Sequence, residues 1–155
     1  PKVEFWLIGD IDRGNYSSLT EKDLDALRIE KTVKVLGYRT DIPDLLSRSN
    51  IICLPSYREG FPKSLIEAAA AQRATITTDV PGCKDAIIPN VTGIIVPVGN
   101  PQLIARSINY LLENKVKRMN MGKEGRKLAE REFSVCKVVK KHFTLYELLL
   151  NAIEE

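Results

Sequence analysis

The feature that most constrains the fold is a regular alternation of short aliphatic runs with longer helix-like stretches. The runs are rich in Val, Ile and Leu and have the length of buried strands. They lie at Val3–Ile8, Val33–Leu36, Ile51–Leu54, Ala74–Thr77 and Ile94–Val96. Helices are predicted between them over Ser18–Glu30, Ile42–Arg48 and Pro62–Gln72. Because parallel strands need a helical return, this order predicts a doubly wound α/β domain with a parallel sheet covered on both faces.

The last third of the chain is predicted to be helical throughout. The helices cover Pro101–Glu113, then Lys115–Glu132, which we expect Gly122 and Gly125 to break, and then about Val135 to Ala152. With 155 residues, 44% of them hydrophobic, the chain can fill the core of one ordinary domain, so residues 1–155 are expected to form a single domain. The sequence begins at Pro1 rather than at a methionine, and a strand-like run starts already at Val3, so we expect an excerpt of a longer protein.

The cysteine pattern argues against a zinc site and against a disulfide framework. Cys53, Cys83 and Cys136 are an odd number without a Cys-x-x-Cys pair, and His142 is the one histidine. We expect His142 to be structural or exposed rather than catalytic.

No apolar run approaches the roughly 20 residues that span a bilayer, and the start, PKVEFWLIGD, lacks the features of a signal peptide. These features together predict a cytoplasmic protein.

Positive charge is concentrated in one segment. Residues 115–141 carry ten Lys or Arg against three Glu, a net +7, so the rest of the chain carries −4 of the overall +3. Two interpretations stay open: peripheral contact with anionic lipid at the inner face of the plasma membrane, or ordinary solvated helix faces. No nucleic-acid-binding motif accompanies the charge, so no nucleic acid partner is expected.

The loop after the third predicted strand carries the strongest functional signal. It reads LPSYREGFPKSLIEAAA from Leu54 to Ala70. Pro62 suits the first helical position, because the amide hydrogen that proline lacks would have no partner there. The neighbouring free amides and the helix dipole form a ready diphosphate site at the carboxyl edge of the sheet. Those amides belong to Gly60, Phe61, Lys63 and Ser64.

Two carboxylates flank this predicted anion site. Glu59 lies in the turn before the helix, and Glu67 lies about one and a half turns into it. Carboxylates repel phosphate but accept hydrogen bonds from sugar hydroxyls, so a nucleoside diphosphate sugar would satisfy amides, carboxylates and the Lys63 cation together. The same glutamate spacing recurs twice in helical stretches, where it indicates solvated faces. Only the first pair straddles a strand-to-helix turn.

These segments resemble the donor-binding half of the retaining family 4 glycosyltransferases, enzymes with the two-domain GT-B architecture. The resemblance is carried by REGFPKSLIEAAA, TTDVPGCKDAI and NVTGIIVPVGNPQLIARSINYLLEN. The first segment matches the glutamate-pair motif of the family, and TTDVPGC is similar to bacterial members that build capsule, O-antigen and exopolysaccharide units. The resemblance implies a Rossmann-like fold over nearly the whole chain, the C-terminal half of a GT-B enzyme without its first strand and helix.

The resemblance also implies a role for each residue of the predicted site. Glu59, the catalytic-site carboxylate, would contact hydroxyls of the donor sugar, Glu67 would hold the ribose, and the amides named above would meet the sugar and the diphosphate. The loop Gly37-Tyr38-Arg39 would lie along the nucleobase. The family implies a UDP-sugar donor, no bound metal, and transfer of a hexosyl or N-acetylhexosaminyl group with retention to a lipid-linked or glycan acceptor.

Several features of complete family members are missing from this chain. These are the N-terminal acceptor domain, a Gly-Arg-…-Lys loop whose two cations clamp the diphosphate, and a histidine near the scissile bond; the chain alone is therefore expected to be inactive. The missing strand would lie between the first strand here and Ile51–Leu54, leaving backbone groups unpaired on both sides. Residues outside this sequence, another chain or a rearranged sheet would have to fill that place.

Two alternatives remain at this point. The chain is either a donor-binding domain or a non-catalytic α/β interaction or regulatory module that binds no nucleotide. Likewise, the turn Pro81-Gly82-Cys83-Lys84 either only connects a strand to a short helix or places Cys83 or Lys84 near the donor sugar.

Overall fold

Parallel pairing joins the strands of the computed structural model into two groups. The structure describes residues 3–14 and 18–152 and divides into two compact units, residues 1–42 and 43–155. The first unit holds β1 (Phe5–Ile8) and β2 (Val33–Gly37), and the second holds β3 (Ile51–Leu54), β4 (Ala74–Thr78) and β5 (Gly93–Val96). Every pair is parallel, in the orders β1-β2 and β3-β4-β5. The predicted parallel α/β class is confirmed.

In the first unit, α1 (Glu21–Glu30) connects β1 to β2 and begins three residues later than predicted. Thr20 is extended and caps the helix, because its hydroxyl accepts the Asp23 amide hydrogen at 3.3 Å while the Asp23 carboxylate accepts the Thr20 amide hydrogen at 2.8 Å. This reciprocal capping box sets the start of the helix. β1 also begins later than predicted, at Phe5 rather than Val3.

The second unit contains five helices and one turn of 3-10 helix. They are α2 (Ile42–Arg48, which begins at the boundary between the units), α3 (Lys63–Ala70), the 3-10 turn (Lys84–Ala86), α4 (Pro101–Glu113), α5 (Lys115–Glu132) and α6 (Val135–Asn151). The bounds of α2, α4 and α5 are those predicted. The strand bounds differ by one residue at β4 and β5 and agree at β3.

The predicted helix over Pro62–Gln72 is shortened at both ends. Pro62 has a ψ of 114°, so it caps the helix instead of being its first residue, and its carbonyl accepts from the Leu65 amide at 3.1 Å. At the other end Gln72 adopts a φ of 59°, in the left-handed region, which a continuing helix does not allow. Lys63 and Ser64 are consequently the first two helical residues, whose amides have no acceptor inside the helix.

The sheet of the second unit is covered on both faces, as a doubly wound fold requires. On one face Ala74 and Ile76 of β4 pack with Leu111 of α4 and Met121 of α5. On the other face the buried residues come from α3 and from the segment after β4; they are Leu65, Val80, Cys83, Ala86 and Ile87. The first turn of α3 is thereby fixed beside the carboxyl end of β3.

The expectation that Gly122 and Gly125 break the fifth helix is wrong. α5 runs without interruption from Lys115 to Glu132, and both glycines are buried. A Cβ atom on Gly122 would lie 2.1 Å from the carbonyl oxygen of Gln72, and one on Gly125 would lie 3.5 Å from the Cα of Ala69. The glycines are therefore tolerated inside the helix because they let α5 approach the end of α3 closely.

One side of β1 and one side of β3 have no strand partner within residues 3–14 and 18–152. β1 pairs with β2 and β3 pairs with β4, and nothing else in the described sheets adjoins them. That a further strand lies between them in a complete protein stays a prediction. The main-chain groups on those two sides are the ones that the prediction left unpaired.

The final helix is exposed along its described length. His142 is exposed as predicted, and its Nδ1 lies 2.8 Å from the Val138 carbonyl oxygen one turn earlier.

The three cysteines are free thiols, in agreement with the absence of a disulfide framework. Among the helices of the described ranges, none combines the length and apolar character needed to cross a bilayer.

Candidate functional site

The first turn of α3 is open to solvent at the carboxyl end of β3. Exposed residues at this turn are Gly60, Phe61, Lys63 and Ser64. Pro62 is buried, and Leu65 is completely buried in the core, so the inner side of the helix is anchored. The first turn of α3 is therefore not covered by the protein's own core, and it is open to an anion from solvent.

Glu59 is held in the turn before α3 by a serine that the sequence analysis did not single out. The Ser56 hydroxyl donates to Oε1 of Glu59 at 2.7 Å, and both residues are half-buried. The signal for this contact was present in the sequence as a Ser-x-x-Glu spacing, which allows the two side chains to meet across one turn of chain.

Two threonines of β4 hold the backbone that leads into the site. The Thr77 hydroxyl donates to the Leu54 carbonyl at 2.8 Å, and the Thr78 hydroxyl donates to the Ser56 carbonyl. Both threonines are almost completely buried. Because each buried hydroxyl uses the loop as its acceptor, the chain between Leu54 and Ser56 is tied to the neighbouring strand.

The turn after β4 packs directly on the Glu59–Gly60 backbone. Gly82 has a φ of +79°, and a Cβ atom there would lie 2.1 Å from the Gly60 carbonyl oxygen. The Asp85 carboxylate accepts the Gly82 amide hydrogen at 2.9 Å and so braces the turn. Cys83 is completely buried in the core, while Lys84 is exposed. The turn thus does more than connect a strand to a short helix, and the Cys83 thiol faces the core.

Lys63 and Glu67 form an ion pair along α3. Their Nζ and Oε1 atoms are 3.4 Å apart, one helical turn from each other. The lysine side chain is 87% exposed and the glutamate side chain 36% exposed, so the pair contributes little to stability. The Lys63 cation is consequently available to an anionic ligand at the first turn, and the Glu67 carboxylate is available to a hydroxyl group.

Phe61 links the open turn to the far end of α5. Its ring meets the ring of Phe133 edge to face, with centroids 5.2 Å apart and planes at 71°. Phe133 follows the last residue of α5. This contact restrains the Phe61 side chain at the edge of the open turn.

The predicted nucleobase loop Gly37-Tyr38-Arg39 lies in the first unit. Gly37 ends β2 with a φ of +65°, and its carbonyl accepts from the Gly9 amide at 2.9 Å. Tyr38 is 75% exposed. The Arg39 guanidinium donates to both carboxylate oxygens of Asp41, at 2.8 and 2.6 Å. The loop is therefore braced by its own residues and presents an aromatic side chain to solvent.

Candidate metal ligands are not clustered in the parts of the chain that the structure describes. No three His, Cys, Asp or Glu side chains there come together in a way that would hold an ion. That transfer needs no metal stays a prediction.

A separate cleft of about 380 Å³ lies at the junction of α5 and α6. It is lined by Arg131, Glu132, Lys137, Lys140, Lys141 and Thr144. A hydrogen bond from Arg131, supported by the charges of Lys141 and Lys137, holds the pKa of Glu132 below its ordinary value. None of the residues predicted to bind the donor lines this cleft, which belongs to the positively charged segment of the chain.

Comparison with known proteins places these features in a family. The family described as glycosyl transferases group 1 matches residues 1–128. An N,N'-diacetylbacillosaminyl-diphospho-undecaprenol alpha-1,3-N-acetylgalactosaminyltransferase of Campylobacter jejuni is 31% identical over 152 residues, which are 98% of this chain and 39% of that protein. The capsular polysaccharide biosynthesis glycosyltransferase CapM of Staphylococcus aureus is 30% identical over 98% of this chain and 40% of its own length.

The solved structures give the same result for the fold. Anabaena HepE in complex with UDP-glucose superposes with a TM-score of 0.84 at 25% identity, over 95% of this chain and 42% of that chain. The chain thus spans about two fifths of the length of the relatives that it matches. Its fold is that of the C-terminal half of a GT-B glycosyltransferase. Because the family match covers more than four fifths of the sequence, the chain belongs to the glycosyl transferases group 1 family.

Proposed function

We propose that this chain is the donor-binding half of a retaining, UDP-sugar-dependent glycosyltransferase of family 4. The observation that carries the proposal is the open first turn of α3, flanked by Glu59 and by the Lys63–Glu67 pair. Helix amides and a cation attract a diphosphate, while carboxylates accept hydrogen bonds from hydroxyls. A nucleoside diphosphate sugar is the ligand class that presents both kinds of group.

Each residue has a defined part in this proposal. The amides of Gly60, Phe61, Lys63 and Ser64 meet the sugar and the diphosphate. Glu59 accepts from hydroxyls of the donor sugar, Glu67 holds the ribose, and Gly37-Tyr38-Arg39 lies along the base. Catalysis is then mainly electrostatic, because the helix amides stabilise the departing diphosphate as positive charge develops on the sugar ring. No metal takes part in this scheme.

The intact protein is proposed to act in bacterial surface polysaccharide synthesis, on a lipid-linked or glycan acceptor. Relatives named for an undecaprenol-linked acceptor and for capsule synthesis support this. In this proposal the acceptor contacts come from a part of the protein outside these 155 residues, so the chain by itself is expected to show no transfer to any acceptor. Measured turnover by the purified chain would contradict the proposal that the acceptor contacts lie outside it.

A cytoplasmic location with peripheral contact at the inner face of the plasma membrane is part of the same proposal. The support is the net +7 charge of residues 115–141 and the cleft that four of its cations line. Sedimentation with anionic vesicles tests the contact, and equal binding to neutral vesicles would contradict it.

Titration of the chain with UDP tests donor binding directly. NMR or thermal-shift titration should show saturable stabilisation that follows RT ln(1 + [L]/Kd). Glu67→Ala should weaken it. Glu124→Ala is the matched control, because Glu124 also pairs with a lysine on an exposed helix face, at 2.7 Å from Lys127. It should leave UDP binding unchanged.

The alternative is a non-catalytic interaction or regulatory module. It predicts a flat response to UDP in a folded protein, and that outcome would overturn the donor-binding proposal.

A further inference from the structure

A chain of three contacts places the Glu59 carboxylate. Its Oε1 accepts the Ser56 hydroxyl proton at 2.7 Å, within the loop that joins β3 to α3. This contact uses one oxygen of the carboxylate and restrains the orientation of the group. The second oxygen can then accept from a ligand hydroxyl without a further change of rotamer.

Ser56 itself is held from the neighbouring strand. Its carbonyl accepts the hydroxyl proton of Thr78, a residue of β4 that is only 1% exposed. The serine backbone is therefore tied to the centre of the sheet, so its hydroxyl projects from a fixed point. A hydrogen bond from a fixed donor restrains its acceptor more strongly than one from a mobile surface group.

The glutamate backbone is held from another direction. Gly82 lies so close to Glu59 and Gly60 that an added Cβ atom would be 2.9 Å from the Glu59 carbonyl oxygen and 2.1 Å from that of Gly60. The main chain of Glu59 is thus confined by the turn after β4, and its side chain is confined by Ser56. Backbone and carboxylate are restrained by separate contacts.

We propose that Ser56 is a positioning residue that presents the Glu59 carboxylate to a hydroxyl of the donor sugar. The inference rests on the proposed function, which gives Glu59 that hydroxyl as its ligand. It adds that Ser56 influences recognition of the sugar and leaves recognition of the UDP portion unaffected. The reason is that the diphosphate meets the amides at the start of α3, none of which contacts the serine hydroxyl.

The ratio of the dissociation constant for UDP to that for a sugar nucleotide tests this inference. Wild type and Ser56→Ala are titrated by NMR with UDP, UDP-glucose and UDP-N-acetylglucosamine, and the sugar nucleotide that wild type binds most tightly is used for the comparison. Ser56→Ala should bind that sugar nucleotide about three- to tenfold more weakly, the effect of one hydrogen bond, and should bind UDP as wild type does. Ser56→Thr, which keeps a hydroxyl, should restore the wild-type ratio.

Further variants separate positioning from a general structural effect. Ser49→Ala is the matched control, because Ser49 is a half-buried serine whose hydroxyl donates to the Leu45 carbonyl at 2.8 Å, at the amino end of β3. It should leave both constants unchanged. In a Glu59→Ala background, Ser56→Ala should no longer change the ratio, since its acceptor is gone. Should Ser56→Ala not fold, Ser56→Cys, a weak donor of similar shape, replaces it.

The outcomes distinguish this inference from the proposed function. If wild type does not bind UDP, the proposed function fails and this inference falls with it. If wild type binds UDP but Ser56→Ala weakens both ligands equally, or neither, then the positioning role is wrong and donor binding stands. A wild-type ratio of one for both sugar nucleotides also overturns the positioning role.

Discussion

Gly82 lies against the Gly60 backbone so closely that a Cβ atom on Gly82 would be 2.1 Å from the Gly60 carbonyl oxygen. The turn after β4 and the loop after β3 are thus in contact at main-chain level, next to the carboxylate of the candidate site. Because both partners are backbone, neither can move aside as a flexible side chain would. This contact makes the shape of the site depend on a glycine outside the glutamate-pair motif.

Gly82→Ala should therefore destabilise the second unit by more than the strain of a left-handed backbone alone. Gly99 separates the two effects, because its φ is +69° but nothing lies within 4 Å of an added Cβ. We expect Gly99→Ala to lower the free energy of unfolding by about 1 kcal/mol, and Gly82→Ala to lower it by at least about 1 kcal/mol more. Urea denaturation of both variants measures the difference, and equal losses would show that the close approach is absent.

The two glycines inside α5 should respond to alanine with opposite signs. At Gly125 an added Cβ would make an ordinary contact 3.5 Å from Ala69, so the higher helix propensity of alanine should stabilise the protein by up to about 1 kcal/mol. At Gly122 the Cβ would lie 2.1 Å from the Gln72 carbonyl oxygen, and Gly122→Ala should destabilise. Urea-denaturation midpoints decide the matter, and stabilisation by Gly122→Ala would contradict the packing of α5 on α3.

Lys63 should contribute to UDP binding without contributing to stability. Its ion pair with Glu67 is largely exposed, so Lys63→Ala should change the free energy of unfolding by less than about 0.5 kcal/mol. UDP affinity should fall about three- to tenfold at low salt, and the difference from wild type should shrink as salt screens the charge. Lys127→Ala, which breaks a comparable exposed pair, is the control. If Lys63→Ala lost stability but kept its UDP affinity, Lys63 would be a structural residue and not a part of the UDP site.

The Cys53 thiol should react slowly at neutral pH. Although the residue keeps exposed surface, burial of the thiol raises its pKa from 9.0 to about 11, and desolvation opposes the charged thiolate. The folded protein therefore holds the thiol proton over a pH range in which the unfolded chain releases it. Iodoacetamide labelling followed on the Cys53 peptide should be slower in native protein than in denatured protein at pH 8. It should accelerate about tenfold per pH unit up to about pH 11. Equal rates would contradict the raised pKa.

Local chemistry accounts for the elements that the sequence predicted well. The bounds of β3, α2, α4 and α5 follow from apolar periodicity and helix propensity, which act within a few residues. Other bounds were missed by one to three residues because a single contact sets them. Thr20 and Asp23 cap each other and so delay α1, while the extended ψ of Pro62 delays α3.

The errors and omissions share another cause, which is contact between residues far apart in sequence. Gly122 was expected to break a helix, because its role depends on the carbonyl of Gln72, fifty residues earlier. Ser56 was overlooked as the partner of Glu59 although the Ser-x-x-Glu spacing was visible, because the contacts of Thr78 and Gly82 that restrain this loop come from far along the chain. The spacing alone does not specify that restraint.

The sequence by itself determined the order of strands and helices, the strand-to-helix turn with Glu59 and Glu67, and the charge of residues 115–141. These follow from the side chains themselves and from their spacing. Only the tertiary structure decided that the first turn of α3 stays open and that the loop carrying Ser56 and Glu59 is held by Thr78 and Gly82. The physical reason is that solvent access and side-chain orientation depend on which distant backbone lies alongside, and that is fixed when the sheet and its covering helices pack.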